Sequence, residues 1–254
     1  MTGEAWKTSI TNIGPGKIEI RGYPIDQLME KKSFAETIFL VLRGELPSKA
    51  EAEMFEAILV SSVDHGVSPP SVLGARNSIS AGNPLNAAVA AGVLSIGDVH
   101  GGAIEQAAKI MQEWAMRDGA PKDLARQLVD DLSSTKKRMP GFGHRLHKTD
   151  PRTLKLFEKA AKLDFRGRHI ELCKEIEAAL EAKTGRPLPI NVDGAIAAVV
   201  SDMGFDYRLG KGFFILSRTA GMIAHIFEEW TTQRPMRKLG DTNCEYVGPD
   251  ARGV

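Results

Sequence analysis

Most of the signatures from which an enzyme class is ordinarily read are missing from this sequence. Its two cysteines, Cys173 and Cys244, lie far apart with no CxxC and no metal-ligand spacing, which predicts reduced, inert thiols and no metal site. There is no H-E-x-x-H, no phosphate-cradling G-x-x-x-x-G-K-[ST] loop and no G-x-G-x-x-G after a strand. The G-x-S-x-G elbow of serine acyl transfer is absent too. Net charge is almost nil: 33 basic against 32 acidic residues leave +1, so no global field recruits nucleic acid or an anionic membrane. An anionic ligand must then be held by local clusters of Arg, Lys and His. No apolar run reaches signal-peptide or membrane-spanning length, which predicts a cytoplasmic protein without membrane association. Repeats and low-complexity linkers are also lacking.

What remains is a chain of 254 residues, 43% hydrophobic and 26% charged, enough for one large domain or a main body with a small inserted lobe. Residues 8–25 read as extended, because Lys17-Ile18-Glu19-Ile20-Arg21 alternates with period two after the turn signal Gly14-Pro15-Gly16. Beyond them the pattern is helical. Ser33 with Glu36, and Ser48 with Glu51, form two capping boxes, with Gly44 and Gly66 as the stops. A Gly-, Ser- and Ala-rich stretch from about 74 to 103 allows close approach of helices or of a ligand. Amphipathic helices are predicted at 103–118 and 122–134. Another opens at Asp150-Pro151 and runs to about 163, and a further one covers 168–184. A last helix near 209–231 is apolar nearly all round and is expected in the core.

Five short stretches carry polar residues that packing alone does not require. Asp64-His65-Gly66 ends a helix, where a histidine meets either the helix dipole or a ligand. Gly97-Asp98-Val99-His100-Gly101-Gly102 is either a simple turn or an open loop around an accessible His100. From Lys136 to Lys148, five Lys/Arg and two His are interleaved with glycines around Pro140-Gly141-Phe142-Gly143-His144. That window is a solvated basic loop or a phosphate wrap. Asp193, in Asn191-Val192-Asp193-Gly194, is a helix cap or, if partly buried, a base of raised pKa. Arg218 inside the apolar helix needs an anionic partner, either an internal carboxylate or a ligand. Together they indicate acid–base chemistry on a polyanionic substrate, with Asp taking a proton from carbon and His stabilising an enolate or carbonyl oxygen.

Seven landmarks in order then carry a resemblance: GYPIDQL, FLVLRGELP, DHG at 64–66, IGDVHGGA at 96–103, PGFGHRLHKTDPR at 140–152, NVDG at 191–194 and SRTAGMIAH at 217–225. In these the chain resembles the citrate synthase superfamily from about Gly22 to Val247, and most nearly its short citryl-CoA lyase branch, which includes the C-terminal module of ATP citrate lyase. The resemblance implies an all-α, citrate-synthase-like fold in a single unit spanning 1–254. About 1–135 and 195–254 would form a large domain, and about 136–194 a small domain closing over CoA. It implies a homodimer at least, with sites shared across the interface, and a coenzyme A thioester as substrate with no permanently bound cofactor. By position, His100, His144 and Asp193 are implied as catalytic. His65, Arg152 and Arg218 would bind the oxaloacetate or citryl part, with Arg234, or else Arg237, reaching in from the neighbouring subunit. Arg138, Gly141, Gly143, Arg145 and Lys148 would face CoA. The reaction implied is retro-Claisen cleavage of citryl-CoA to acetyl-CoA and oxaloacetate, on citryl-CoA preformed by a separate ligase. A citrate-synthase-like condensation of acetyl-CoA or propionyl-CoA with oxaloacetate, followed by hydrolysis, is the alternative, and a non-catalytic CoA- or citrate-binding partner a third. The chain is shorter than full citrate synthases, which favours the lyase, whereas His100 is the residue a synthase carries there and the ATP citrate lyase module has an aromatic.

Overall fold

The computed structural model describes residues 6–143, 150–237 and 246–253. Three short antiparallel strands, β1 (Thr11–Gly14), β2 (Lys17–Ile20) and β3 (Tyr23–Pro24), form the only sheet among the described residues, paired in chain order. Eleven α-helices follow among the described residues: α1 (Ile25–Lys31), α2 (Phe34–Arg43), α3 (Lys49–Ser62), α4 (Pro70–Ser80), α5 (Leu85–Leu94), α6 (Ala103–Ala115), α7 (Pro121–Ser134), α8 (Pro151–Lys162), α9 (Arg168–Thr184), α10 (Val192–Asp202) and α11 (Gly210–Thr232). The fold is all-α apart from the small N-terminal sheet. No described helix is long and apolar enough to cross a membrane.

Local chemistry fixes the boundaries. Ser33 and Ser48 each accept from the backbone N–H three residues on, and Glu36 and Glu51 return the bond, so both capping boxes form. Gly44 and Gly185 adopt the left-handed conformation that ends α2 and α9. Asp150 caps α8 ahead of Pro151. The small-residue stretch before His100 folds as the helix pair α4 and α5, packed closely enough that a Cβ on Gly92 of α5 would lie 2.9 Å from Ser71 O of α4.

α10 is the central element. Gly194 through Ser201 are all buried, against α6, α9 and α8. One apolar cluster runs from Phe39 through α3, α6, α7, α8, α9 and α10 to Phe213 and Phe214, and so includes residues from both sides of 136 and 195. Cys173 lies within it, and burial pushes its thiol pKa well up, as an inert thiol requires. α11 departs from the core element expected of it. Phe213, Phe214, Arg218, Met222 and Ile226 are buried, but Leu216, Ile223, Phe227 and Trp230 on another face are 41–62% exposed. Their spacing of seven, four and three places them on one stripe, which a helix covers only by meeting another surface.

The loop 141–143 is stitched onto the turn before α10. Asn191 N–H donates to Gly141 O at 3.0 Å, Gly143 N–H donates to Pro189 O at 2.7 Å, and Asn191 Nδ2 donates to Gly143 O at 3.0 Å. Gly141 has φ +82°, and a Cβ there would lie 2.6 Å from Gly194 Cα, against backbone that cannot yield. Gly141→Ala is therefore expected to lower the unfolding free energy by at least ~2 kcal/mol, measured by urea denaturation. Gly16→Ala, at a glycine of similar φ with open space around it, separates the strain from the clash.

Candidate active site

Four segments bring His100, Asp193, Arg218 and Arg152 close enough for their charges to act on one another. His100 stands in the loop between α5 and α6, and the glycines beside it have a steric reason. A Cβ on Gly101 would meet the Phe214 ring at 2.5 Å, and one on Gly102 would meet Asp98 Cα at 2.7 Å. The His100 ring sits edge-on to Phe214, centroids 5.5 Å apart, and its Nε2 lies 2.8 Å from Ser71 Oγ and 3.4 Å from Ser71 N. A backbone N–H can only donate, so Nε2 is the acceptor and the neutral ring carries its proton on Nδ1. Burial, and then the charge of Arg218, push the imidazole pKa below its ordinary value, so His100 is neutral near pH 7.

Asp193 occupies the first turn of α10. Asn191 is the cap there, its Oδ1 accepting from the N–H groups of Asp193 and Gly194 at 3.0 and 3.2 Å. The capping alternative for Asp193 is thereby excluded, and its carboxylate is left to other work. Burial raises its pKa and outweighs the opposing charges of Arg152 and Arg218, while Asp150 pushes it the same way as burial.

Arg218 is 2% exposed on α11. Its Nε donates to Ser62 O at 3.0 Å, its guanidinium lies 4.6 Å over the Phe214 ring, and its Nη1 has no hydrogen-bond partner among the described residues. Among the described residues no carboxylate forms an ion pair with it, as the ligand alternative requires. Arg152, opening α8, forks onto buried Asp150, Nε to Oδ1 at 3.0 Å and Nη2 to Oδ2 at 2.8 Å. His65 follows α3 in an exposed turn shaped by Asp64, whose carboxylate accepts from Gly66 N–H at 3.0 Å and pairs with His225 Nε2 at 3.0 Å. Burial pushes the Asp64 carboxyl up, but the N–H groups of Gly66 and His65 together with His225 outweigh it and hold it below the usual range.

The remaining candidates are less gathered. Arg138 is exposed at the start of the 138–143 loop, and Arg234 is exposed beyond α11. Arg237 is engaged by Glu229, Nε to Oε1 at 2.6 Å. His144, Arg145 and Lys148 lie outside the described residues. Ser71 and Glu229 carried no sequence signal, since each finds its partner only through the fold. No group of three His, Cys, Asp or Glu that could hold a metal occurs among the described residues.

The all-α frame thus gathers a neutral histidine, a carboxyl of raised pKa and two arginines, a set suited to acid–base chemistry beside an anionic group. The chain belongs to the citrate synthase family: residues 2–62 and 48–239 match the model described as citrate synthase, C-terminal domain. Within that family it is similar to the citryl-CoA lyase from Hydrogenobacter thermophilus, with 44% identity and a TM-score of 0.91 over 98% of this chain and 97% of that one. It is 30% identical to citrate synthase 2 of Bacillus subtilis (strain 168) over 226 residues, 87% of this chain. It spans 58% of that relative's length. It also shares the fold of ATP citrate lyase from Methanothrix soehngenii, solved with citrate and coenzyme A, at 22% identity and a TM-score of 0.82 over 98% of this chain and 42% of that one.

The Asp193 shift has a thermodynamic consequence. A carboxyl whose pKa is raised on folding binds its proton more tightly in the native state, so stability falls as pH rises from the ordinary carboxylate range through the raised value. Asp193→Asn removes that penalty. Its Tm should exceed wild type at pH 7.5, with the gain vanishing toward pH 4. Thermal unfolding across pH measures this, and a gain independent of pH would contradict the assignment.

Proposed function

We propose that the protein is a citryl-CoA lyase, cleaving citryl-CoA to acetyl-CoA and oxaloacetate. The observation that carries this reading is buried Arg218, whose Nη1 meets no partner among the described residues and whose charge acts on both neutral His100 and Asp193. Arg218 and Arg152 would bind carboxylates of the citryl group, with His65 beside them. The carbinol hydroxyl proton passes to His144, assigned as the base at that oxygen, and the C–O becomes the ketone of oxaloacetate as the neighbouring carbon–carbon bond breaks. The released electron pair forms the thioester enolate of acetyl-CoA, whose oxygen would accept from His100 Nδ1–H. Asp193, its pKa raised, suits the proton transfer to carbon that completes the acetyl methyl group. His144 is assigned the carbinol and ketone oxygen. Arg138, Gly141, Gly143, Arg145 and Lys148 face CoA in this reading, with 136–194 as the small domain that closes over it.

The similarity to the citryl-CoA lyase over nearly the full length of both chains supports the lyase over the synthase. The enolising equipment is what a synthase would also use, so the reading is tested by products. Purified protein is given citryl-CoA, and separately acetyl-CoA with oxaloacetate, with products followed by mass spectrometry. Release of acetyl-CoA and oxaloacetate with little free citrate is expected. Free citrate with stoichiometric CoA would make it a synthase, and silence with retained CoA binding would make it a binding partner. Asp193→Ala should lower kcat by at least about 10³-fold. Near-normal turnover would sink the mechanism. On this reading preformed citryl-CoA comes from a separate ligase reaction, and the protein works in the cytoplasm.

We also propose that a second copy covers the exposed stripe of α11, making at least a homodimer in which Arg234 reaches the neighbouring site. Arg237 is already held by Glu229, which leaves Arg234 for that task. Phe227→Glu with Trp230→Glu should shift the mass by light scattering to that of one chain and abolish cleavage.

A further inference from the structure

Glu229 is a carboxylate on α11, 2% exposed, that the proposed reaction does not use. Arg76 of α4 donates to its Oε2 from Nε at 2.8 Å and from Nη2 at 2.6 Å. Arg237 forks onto the same group, Nε to Oε1 at 2.6 Å and Nη2 to Oε2 at 3.0 Å. Burial pushes the Glu229 carboxyl up, and the hydrogen bonds from Arg237 and Arg76 outweigh it, so it stays ionised at neutral pH. One buried carboxylate thus ties the end of α11, the middle of α4 and the chain beyond α11 to one point.

The chain between Glu229 and Arg237 is fastened a second time. Met236 N–H donates to Ser80 O at 2.7 Å, and Arg237 N–H donates to Ser80 Oγ at 2.9 Å. Met236 adopts φ +55°, left-handed backbone that a side chain disfavours and that persists only where the surroundings fix it. Yet Gln233, Arg234, Pro235 and Met236 are all exposed, so this fixation buries no apolar surface of the turn itself. What it does fix is the place from which Arg234 projects.

We infer that Glu229 is a positioning residue, holding Arg76 and Arg237 so that the 233–236 turn presents Arg234 to the citryl carboxylates in the neighbouring subunit. The inference rests on the reading in which Arg234 serves that neighbouring site. It predicts that the clamp of one chain governs the activity of the other chain's Asp193.

The test uses full-length dimers carrying two different tags. Glu229→Gln keeps the shape and removes the charge that holds both guanidinium groups. Its homodimer should keep the wild-type mass while KM for citryl-CoA rises about 10-fold or more and kcat changes less. Asp193→Ala homodimers should be inactive. In the mixed dimer, one site combines an intact Asp193 with an Arg234 held by an intact clamp, and subsaturating activity should recover to about half that of wild type with a wild-type KM. If Glu229→Gln folds poorly, Arg237→Gln releases the turn while leaving the Glu229–Arg76 pair inside, and the same recovery is expected. Mixed dimers no better than half the Glu229→Gln homodimer would overturn the inference, because the clamp would then act only within its own chain. An unchanged KM in both variants would overturn it as well. Wild-type protein that leaves citryl-CoA intact would instead remove the proposed function, and this inference with it.

Discussion

A guanidinium buried in a mostly apolar helix, with no described carboxylate paired to it, is the constraint on which the rest of this structure turns. Burying an unpaired charge costs several kcal/mol, and the structure relieves that cost only in part. Ser62 O takes one N–H of Arg218, and the face of Phe214 takes some of the positive charge. Nη1 is left unmet among the described residues, and burial pulls the pKa of Arg218 down with only Asp64 and Asp193 resisting through space. Such an arrangement persists where an anion is to be bound, because the ligand's carboxylate then supplies what the fold withholds. The same positive charge lowers the pKa of His100 and limits the rise of Asp193. One residue thereby acts on the protonation of two others, in each case beside the larger effect of burial.

Two effects compete at Asp193, and their sizes decide which prevails. The start of a helix favours negative charge by about 0.3–1 kcal/mol, and two arginines favour it further. Desolvation of a buried carboxyl can reach several pKa units in the other direction, and here it prevails. Asn191 makes this outcome affordable by taking over the capping hydrogen bonds that a side chain in this turn would otherwise supply. Its Nδ2 also holds Gly143 O, so the turn bearing Asp193 and the loop leading to His144 are set by one amide.

The sequence made the frame legible wherever the determinant is local. Both capping boxes, the αL stop at Gly44 and the Asp150-Pro151 start lie within four residues of what they control and appear where expected, whereas α3 ends at Ser62 with Val63 as its cap, short of Gly66. The sites of His100, Asp193 and Arg218 could be singled out because glycines, or a charge in an apolar run, are odd without a reason. Ser71 and Glu229 could not, since their partners lie 29 residues away at His100 and 153 residues away at Arg76. The exposed stripe on α11 was misread as core for a related reason. Periodicity reports which residues avoid water, and it is silent on whether the same chain or another shields them.

That silence bears on how the site works. α11 is 23 residues long, about 34 Å at 1.5 Å per residue, and it carries Arg218 on its buried face, the apolar stripe on another and Glu229 near its end. A single rigid element therefore links buried Arg218, the surface a second copy would cover and the clamp around Glu229. If the stripe is covered by another copy, Arg234 of each chain is carried toward its neighbour by the same helix that holds the chain's own Arg218. Assembly and completion of the site are then one event, because rotating α11 to improve one contact displaces the other two. An enzyme built this way has a physical reason to be inactive as a monomer even when every catalytic side chain of that monomer is correctly folded.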